Sequence, residues 1–281
     1  MPIAAVNGIE IYYDEFGDPG DPALLLMAGL GSQLLNYPDE LCLAFADRYM
    51  RVVRFDNRDA GLSTHLPEGT VYSLSDMAAD VVGLMDHLGI ERAHLWGSSL
   101  GGMVAQTVAI EHPERLASLI SVQSTTGEPD VGQPDPDALG QLMASIEPAA
   151  NREEAIEKSI RLFEVLVNNP AVSDAEAHRI KAEAMYDRAY DPAGGSRQAM
   201  AVVTAPSRVE GLSHLPMPVL VIHGNRDPVI GISGGRRTAE LVPNGTFLEV
   251  DGMGHDLTPV FWSQYVDAVV AHVAAIETGA G

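Results

Sequence analysis

The stretch Leu95-Trp96-Gly97-Ser98-Ser99-Leu100-Gly101-Gly102 decides how this chain is read. An apolar run, Ala93 to Trp96, leads into it, and a helix-like run, Met103 to Glu111, follows. The pattern is G-x-S-x-G with Ser99 at its centre. Between a strand and a helix, that pattern predicts a strained turn that lifts a serine to a helix N-terminus. A side chain at 97 or 101 would collide with a neighbouring element in so tight a turn. The plainer alternative is a glycine-rich connection with no chemistry.

Outward from this turn, short apolar runs alternate with helical-period segments. The runs are Ile9 to Tyr13, Ala23 to Met27, Arg51 to Phe55, Ala93 to Trp96, Ser118 to Val122, Val219 to His223 and Thr246 to Val250. Most lack clean polar–apolar alternation, which predicts strands buried on both faces of a parallel sheet. From Ser73 to Gly89, Leu74, Met77, Val81, Leu84 and Leu88 form one apolar stripe at helical spacing. Ser73 to Asp76 predicts a capping-box start for that helix, and Gly89 its stop. Thr258-Pro259 predicts the start of the last helix. The fold class expected is α/β, with a mostly parallel sheet covered by helices.

Strand-like runs fail between residues 125 and 215. Four helical stretches are expected there: Asp137 to Ile146, Arg152 to Asn168, Ser173 to Arg188, and Ser196 to Val203. The joints expected between them include Gly127 to Pro136, Asn169-Pro170 and Pro192 to Gly195. Residues 125–215 are therefore expected as a helical insertion in a core formed by 1–124 and 216–281.

Composition narrows the partners. The 281 residues carry 17 Lys+Arg against 39 Asp+Glu, a formal net charge of −22. Lys158 and Lys181 are the two lysines, so no polybasic patch exists for nucleic acid or an anionic membrane. No apolar stretch nears the roughly 20 residues of a membrane span. The N-terminal MPIAAVNGIEIYYDEF lacks the basic and apolar regions of a signal peptide, and the single Cys42 cannot form an internal bridge. Both point to a cytoplasmic location. Oligomeric state has no signature here. Neither a metal-ligand cluster nor a dinucleotide fingerprint is visible, so no cofactor is expected.

A serine nucleophile needs a base, and the base an orienting acid. Nine histidines compete. His255 lies in the glycine-rich Asp251-Gly252-Met253-Gly254-His255-Asp256, after the last strand, where a loop can reach over the sheet's edge. His223 sits inside a strand run and is expected in the core. His94 begins a strand, His112 precedes Pro113 at a helix end, and His65, His87, His178, His214 and His272 lack motif context. Asp227 directly follows the strand Val219 to Ile222. Its rivals, Asp251 and Asp256, adjoin the histidine too closely in sequence to face it readily. The chain order nucleophile, acid, histidine favours Ser99, Asp227 and His255. An oxyanion hole is expected from the backbone N–H groups of Leu100 and of Leu30, in the loop Ala28-Gly29-Leu30-Gly31.

With these residues in place, the chain resembles the α/β-hydrolase superfamily over nearly its whole length. The segment Asp56-Asn57-Arg58-Asp59-Ala60-Gly61-Leu62-Ser63 looks like that family's D-x-R-x-x-G-x-S turn, which is architectural. Asp-Asn-Arg-Asp and Gly-Met-Gly-His look most like actinobacterial-type lipase/esterases and aclacinomycin methylesterase-like enzymes. Ala28 stands where many members carry a histidine. The resemblance implies a serine carboxylic-ester hydrolase acting on small to medium esters, with residues 125–215 as its cap, and the net charge of −22 favours neutral ones. Gly29, Met143, Phe163, Met185, Tyr186, Tyr190 and Met200 are expected as pocket liners, against the plainer expectation that they pack the cap's own core. Perhydrolysis of the haloperoxidase type and C–C bond hydrolysis would use the same three residues, and a non-catalytic binding protein is the remaining alternative.

Overall fold

The computed structural model describes residues 2–279. The strands are β1 (Ile3–Val6), β2 (Ile9–Phe16), β3 (Ala23–Met27), β4 (Arg51–Phe55), β5 (Ala93–Ser98), β6 (Leu116–Val122), β7 (Val219–Gly224) and β8 (Gly245–Val250). They form one sheet in the order β1-β2-β4-β3-β5-β6-β7-β8. β2 pairs antiparallel with β1 and β4, and every other pairing is parallel. All seven expected strands are present. The eighth, β1, is a short edge strand joined to β2 through Asn7-Gly8, both at positive φ (49° and 79°). Asn-Gly is the strongest short hairpin signal a sequence carries.

The unbroken apolar runs have the expected cause. In β3, Leu25 and Met27 enter one core layer while Leu24 and Leu26 enter the other. The first layer lies under α2 (Leu74–His87) and α3 (Leu100–Glu111); α1 (Asp39–Ala46) and α10 (Trp262–Glu277) cover the second. The capping box of α2 is complete: Ser73 Oγ accepts from Asp76 N–H, and the Asp76 carboxylate accepts from Ser73 N–H. At the other end of the chain, Thr258-Pro259 opens a single 3₁₀ turn that leads into α10.

Five helices lie between β6 and β7: α4 (Pro136–Ser145), α5 (Arg152–Val167), α6 (Ala175–Arg188), α7 (Pro192–Val203) and α8 (Val209–Leu212). Among the described residues this segment contains no strand. α9 (Ser233–Leu241) follows β7. One expected joint is corrected: Pro192 to Gly195 is the first turn of α7. Proline suits that position, which has no helical acceptor for an N–H. The glycines there permit close packing, because a Cβ on Gly194 would run into the carbonyl of Asp59. Arg208 ties the two chain crossings of the insertion together. Its backbone N–H donates to Thr126 O (2.9 Å), and its guanidinium to Thr125 O and Gln106 Oε1 (both 2.8 Å).

Candidate active site

β5 ends and α3 begins at Ser99, whose backbone (φ 57°, ψ −120°) lies in a region L-residues rarely occupy. The neighbours make that strain tolerable. A Cβ on Gly97 would strike the carbonyl of Gly101, and one on Gly101 the carbonyls of Met27 and Ala28. Ser99 N–H donates to Val122 O (2.9 Å), and Ser124 Oγ donates to Ser99 O (2.9 Å). Beneath the turn, Trp96 packs edge-on against Tyr37, Phe45 and Tyr265, and its indole N–H donates to Ser98 Oγ (2.8 Å). The turn thus rests on a fully packed layer.

His255 Nε2 lies 2.9 Å from Ser99 Oγ, and His255 Nδ1 lies 2.7 Å from Asp227 Oδ2. An ionised carboxylate only accepts, so Nδ1 carries the proton and Nε2 is free to accept from the serine hydroxyl. The Asp227 side chain is fully buried. Its Oδ1 accepts from the N–H groups of Val229 (2.9 Å) and Ile230 (2.8 Å). Burial pushes its carboxyl upward, but the imidazoles of His255 and His223 outweigh that and hold it well below the usual carboxylate range.

His223 was expected as a core residue, and it is fully buried in β7. It also faces the acid: Nε2 lies 2.8 Å from Ile230 O and 3.2 Å from Asp227 Oδ2. The carbonyl requires a donor, so Nε2 carries the proton. Nδ1 has no partner among the described residues.

The loop bearing His255 is held from two directions. Gln123, at the end of β6, donates from Nε2 to Gly254 O (2.8 Å) and Asp256 O (3.3 Å). From the insertion, Leu166 O accepts the His255 N–H (2.7 Å). Sequence reasoning missed Gln123, a lone glutamine with no motif. The rival acids are engaged elsewhere, Asp251 with Asn225 (2.8 Å) and Asp256 beside Lys181 (3.7 Å).

Leu100 N–H is the first of α3 and has no helical acceptor, and Leu30 N–H has no partner among the described hydrogen bonds. The loop carrying Leu30 is fastened largely by the insertion. Gly31 N–H donates to Gln198 Oε1 (2.8 Å), and Gln198 Nε2 donates to Arg58 O (2.8 Å). Gln33 Nε2 donates to Met185 O (2.7 Å) and Ala189 O (2.9 Å), while its Oε1 accepts from Arg188 (2.9 Å). The turn Asp56 to Ser63 braces the loop from below. Asp56 accepts from Leu34 N–H (2.7 Å), and Asn57 Nδ2 donates to Ala28 O (3.0 Å). It also anchors the insertion through Asp56–Arg188 and Asp59–Arg197 pairs, each 2.7 Å.

A cavity of about 70 Å³ adjoins Ser99 and His255. Of the expected liners, Gly29 and Phe163 face it; Met143, Met185, Tyr186 and Tyr190 do not. Met185 and Tyr186 pack against the insertion's own cluster of Ile156, Ile160, Phe163 and Ala182. Tyr190 stacks on Tyr186 (4.8 Å between centroids), and its hydroxyl accepts from Ala149 N–H (2.8 Å). Met143 and Met200 are exposed. The wall is built instead by Leu142, Leu162, Leu166 and Leu257, with Lys181 and Asn36. Adjacent helical positions point about 100° apart, so Leu142 faces the cavity and the expected Met143 does not. A wider cleft of about 550 Å³ opens beside α2, α3 and α8, but contains none of Ser99, Asp227 and His255.

Asp59, His65 and Asp191 offer ligand atoms within 4.8 Å of one another. Arg197 already bridges the two carboxylates, at 2.7 Å to Asp59 and 3.3 Å to Asp191.

The chain belongs to the α/β hydrolase fold family, whose model matches residues 22–259. It is 28% identical to rhodomycin D methylesterase DnrP of Streptomyces peucetius, over 98% of this chain and 99% of that protein. It is also 28% identical to 3-oxoadipate enol-lactonase 2 of Acinetobacter baylyi, over 93% of each. Among solved structures, a meta-cleavage product hydrolase of Pseudomonas fluorescens IP01 superposes with a TM-score of 0.82 at 23% identity, covering 100% of this chain and 98% of that one. Family and relatives make the chain a hydrolase of small molecules and bear out the methylesterase-like resemblance. No helix among the described residues is long and apolar enough to cross a membrane.

Proposed function

We propose that the chain is a serine carboxylic-ester hydrolase working through an acyl-enzyme. The observation that carries this reading is the hydrogen-bonded line Ser99–His255–Asp227 at 2.9 and 2.7 Å. Ser99 Oγ attacks the ester carbonyl carbon while its proton passes to His255 Nε2. Asp227 holds the Nδ1–H tautomer and stabilises the imidazolium. The carbonyl oxygen, now negative, accepts from the N–H groups of Leu30 and Leu100. The tetrahedral adduct collapses, the C–O bond to the alcohol breaks, and His255 returns the proton to that oxygen. Water then repeats the sequence on the acyl-serine, releasing the acid and restoring the hydroxyl.

Residues 125–215 act as the cap in this reading, closing the site from above with Leu142, Leu162, Phe163 and Leu166. The acidity is spread over the molecule, with 15 acidic and 8 basic residues in 125–215 against 24 and 9 elsewhere. Such a field favours neutral esters over polyanions such as acyl-coenzyme A. The test is hydrolysis of short p-nitrophenyl esters by wild type and Ser99→Ala, with fluorophosphonate labelling of both. The expected result is a loss of about 10⁴-fold or more in the variant and an adduct in wild type alone. Full activity in the variant, or no adduct on Ser99, would sink the assignment.

A further inference from the structure

Lys181 is one of two lysines in the chain, and it sits on the wall of the cavity beside Ser99. It comes from α6. Its ammonium lies 3.0 Å from Asn36 Oδ1, 3.7 Å from Asp256 Oδ1 and 4.8 Å from the centre of the Phe163 ring. All three partners line the same cavity. Apart from His255, Lys181 is the only basic side chain there; most of the remaining wall is leucine, Phe163 and small residues. Arg188 and Arg197, also from the insertion, are instead consumed by Asp56 and Asp59.

An ammonium has three N–H donors. Asn36 takes one, and Asp256 at 3.7 Å is an ion-pair partner beyond hydrogen-bond distance. Donor capacity therefore remains on an ammonium that lines the cavity. The neighbouring charge decides what kind of group. Asp256 offsets the ammonium, and buried Asp227 adds a further negative charge behind His255. A free carboxylate would enter against this field. A neutral carbonyl or hydroxyl oxygen can accept from the ammonium without adding charge, and a charge-assisted hydrogen bond is stronger than a neutral one. The cavity, at about 70 Å³, has room for a short acyl chain.

We propose that Lys181, positioned by Asn36, Asp256 and Phe163, forms a subsite for a neutral oxygen acceptor on a short acyl group, selecting oxo- or hydroxy-substituted esters over plain alkyl esters. The proposal rests on the ester-hydrolase reading and names its substrate class. Methyl 3-oxobutanoate and methyl butanoate are near-isosteric probes that differ by one carbonyl. Monomethyl malonate, an anion at neutral pH, supplies the charged arm. The three are assayed with wild type and Lys181→Met.

Wild type is expected to show the highest kcat/KM on the 3-oxo ester. Lys181→Met should cut the ratio of 3-oxo to plain ester about tenfold, and that ratio is the readout whatever the variant does to the butanoate rate alone. The butanoate rate also reports whether the variant remains folded and competent. An unchanged ratio, or an equal fall on both neutral esters, would mean that Lys181 only pins α6 to the loops of Asn36 and Asp256, and overturns the subsite. A malonate monoester preferred over the 3-oxo ester overturns its neutral character. If wild type hydrolyses none of the three and Ser99 takes no fluorophosphonate, the hydrolase reading fails first and the subsite falls with it.

Discussion

The core and the helical insertion hold the same site by different means. In the core, backbone does most of the work: Gly97 and Gly101 pack against carbonyls, and Val229 and Ile230 present N–H groups to Asp227. In the insertion, side chains reach across long sequence separations. Gln198 meets Gly31, Arg197 meets Asp59, Arg188 meets Asp56 and Lys181 meets Asn36. The core carries Ser99, His255 and Asp227, while the insertion fastens the Leu30 loop, holds the His255 N–H through Leu166 O and walls the cavity. Changes in the core should strike chemistry, and changes in the insertion should strike positioning and stability.

The sharpest way to break this contrast is Asp227→Asn. The amide keeps the shape but favours the wrong tautomer of His255, so kcat should fall about 10⁴-fold with the fold retained. Steady-state kinetics beside a thermal melt measures this, and a loss under tenfold would remove Asp227 from the reacting line.

Next in size is Arg197→Met. Asp59 has a fully buried side chain and accepts from Arg197 at 2.7 and 2.9 Å. Burial raises its carboxyl, but Arg197 and the Leu66 N–H more than offset that and leave it lowered. Removing the guanidinium strands a buried charge and should cost about 3 kcal/mol of stability. Chemical denaturation checks it, and an unchanged midpoint would show that the insertion does not depend on this pair.

Gln198→Ala should be milder and of a different kind. It frees Gly31 N–H and loosens the Leu30 loop without touching the reacting groups. Losing a preorganised oxyanion donor outright costs about 100–1,000-fold, so displacing one should lower kcat about 10- to 100-fold with KM little changed. Gln198→Glu keeps the acceptor for Gly31 and should recover part of that loss. Equal kcat in wild type and Gln198→Ala would separate the insertion from the oxyanion loop.

The smallest effect concerns acid. Asp227 is held below the usual carboxylate range, so its interactions stabilise the folded chain above about pH 4 and are lost as pH falls through the lowered folded value. The stability gap between wild type and Asp227→Asn should therefore be flat near neutrality and shrink in acid. A gap that widens below pH 4 would contradict this sign.

Much of the core was legible because its signals are local. G-x-S-x-G, the apolar runs and the Ser73 capping box are each contained within a few residues, and all appear where expected. β1 falls outside the expected runs, although Asn7-Gly8 announces its hairpin. α9 falls outside the expected helices: Gly234 and Gly235 lower its helical propensity, and Gly235 lies against the His223 ring, where a side chain would not fit. In the insertion the four longer helices are legible but the one-turn α8 and the faces are not: Leu142 lines the cavity and the expected Met143 does not.

By itself, the sequence determined a parallel α/β sheet, a serine on a strained turn, and the order in which an acid and a histidine follow it. These depend on interactions within a turn or along one strand, which adjacent residues specify. The tertiary structure alone decided that His223 also faces Asp227, that Gln123 holds the His255 loop, and that Gln198 and Lys181 bring the insertion to the site. Each of these is a single side-chain contact. Lys181 and Asn36, for example, lie 145 residues apart, and no local pattern records a hydrogen bond that exists only after the chain has folded.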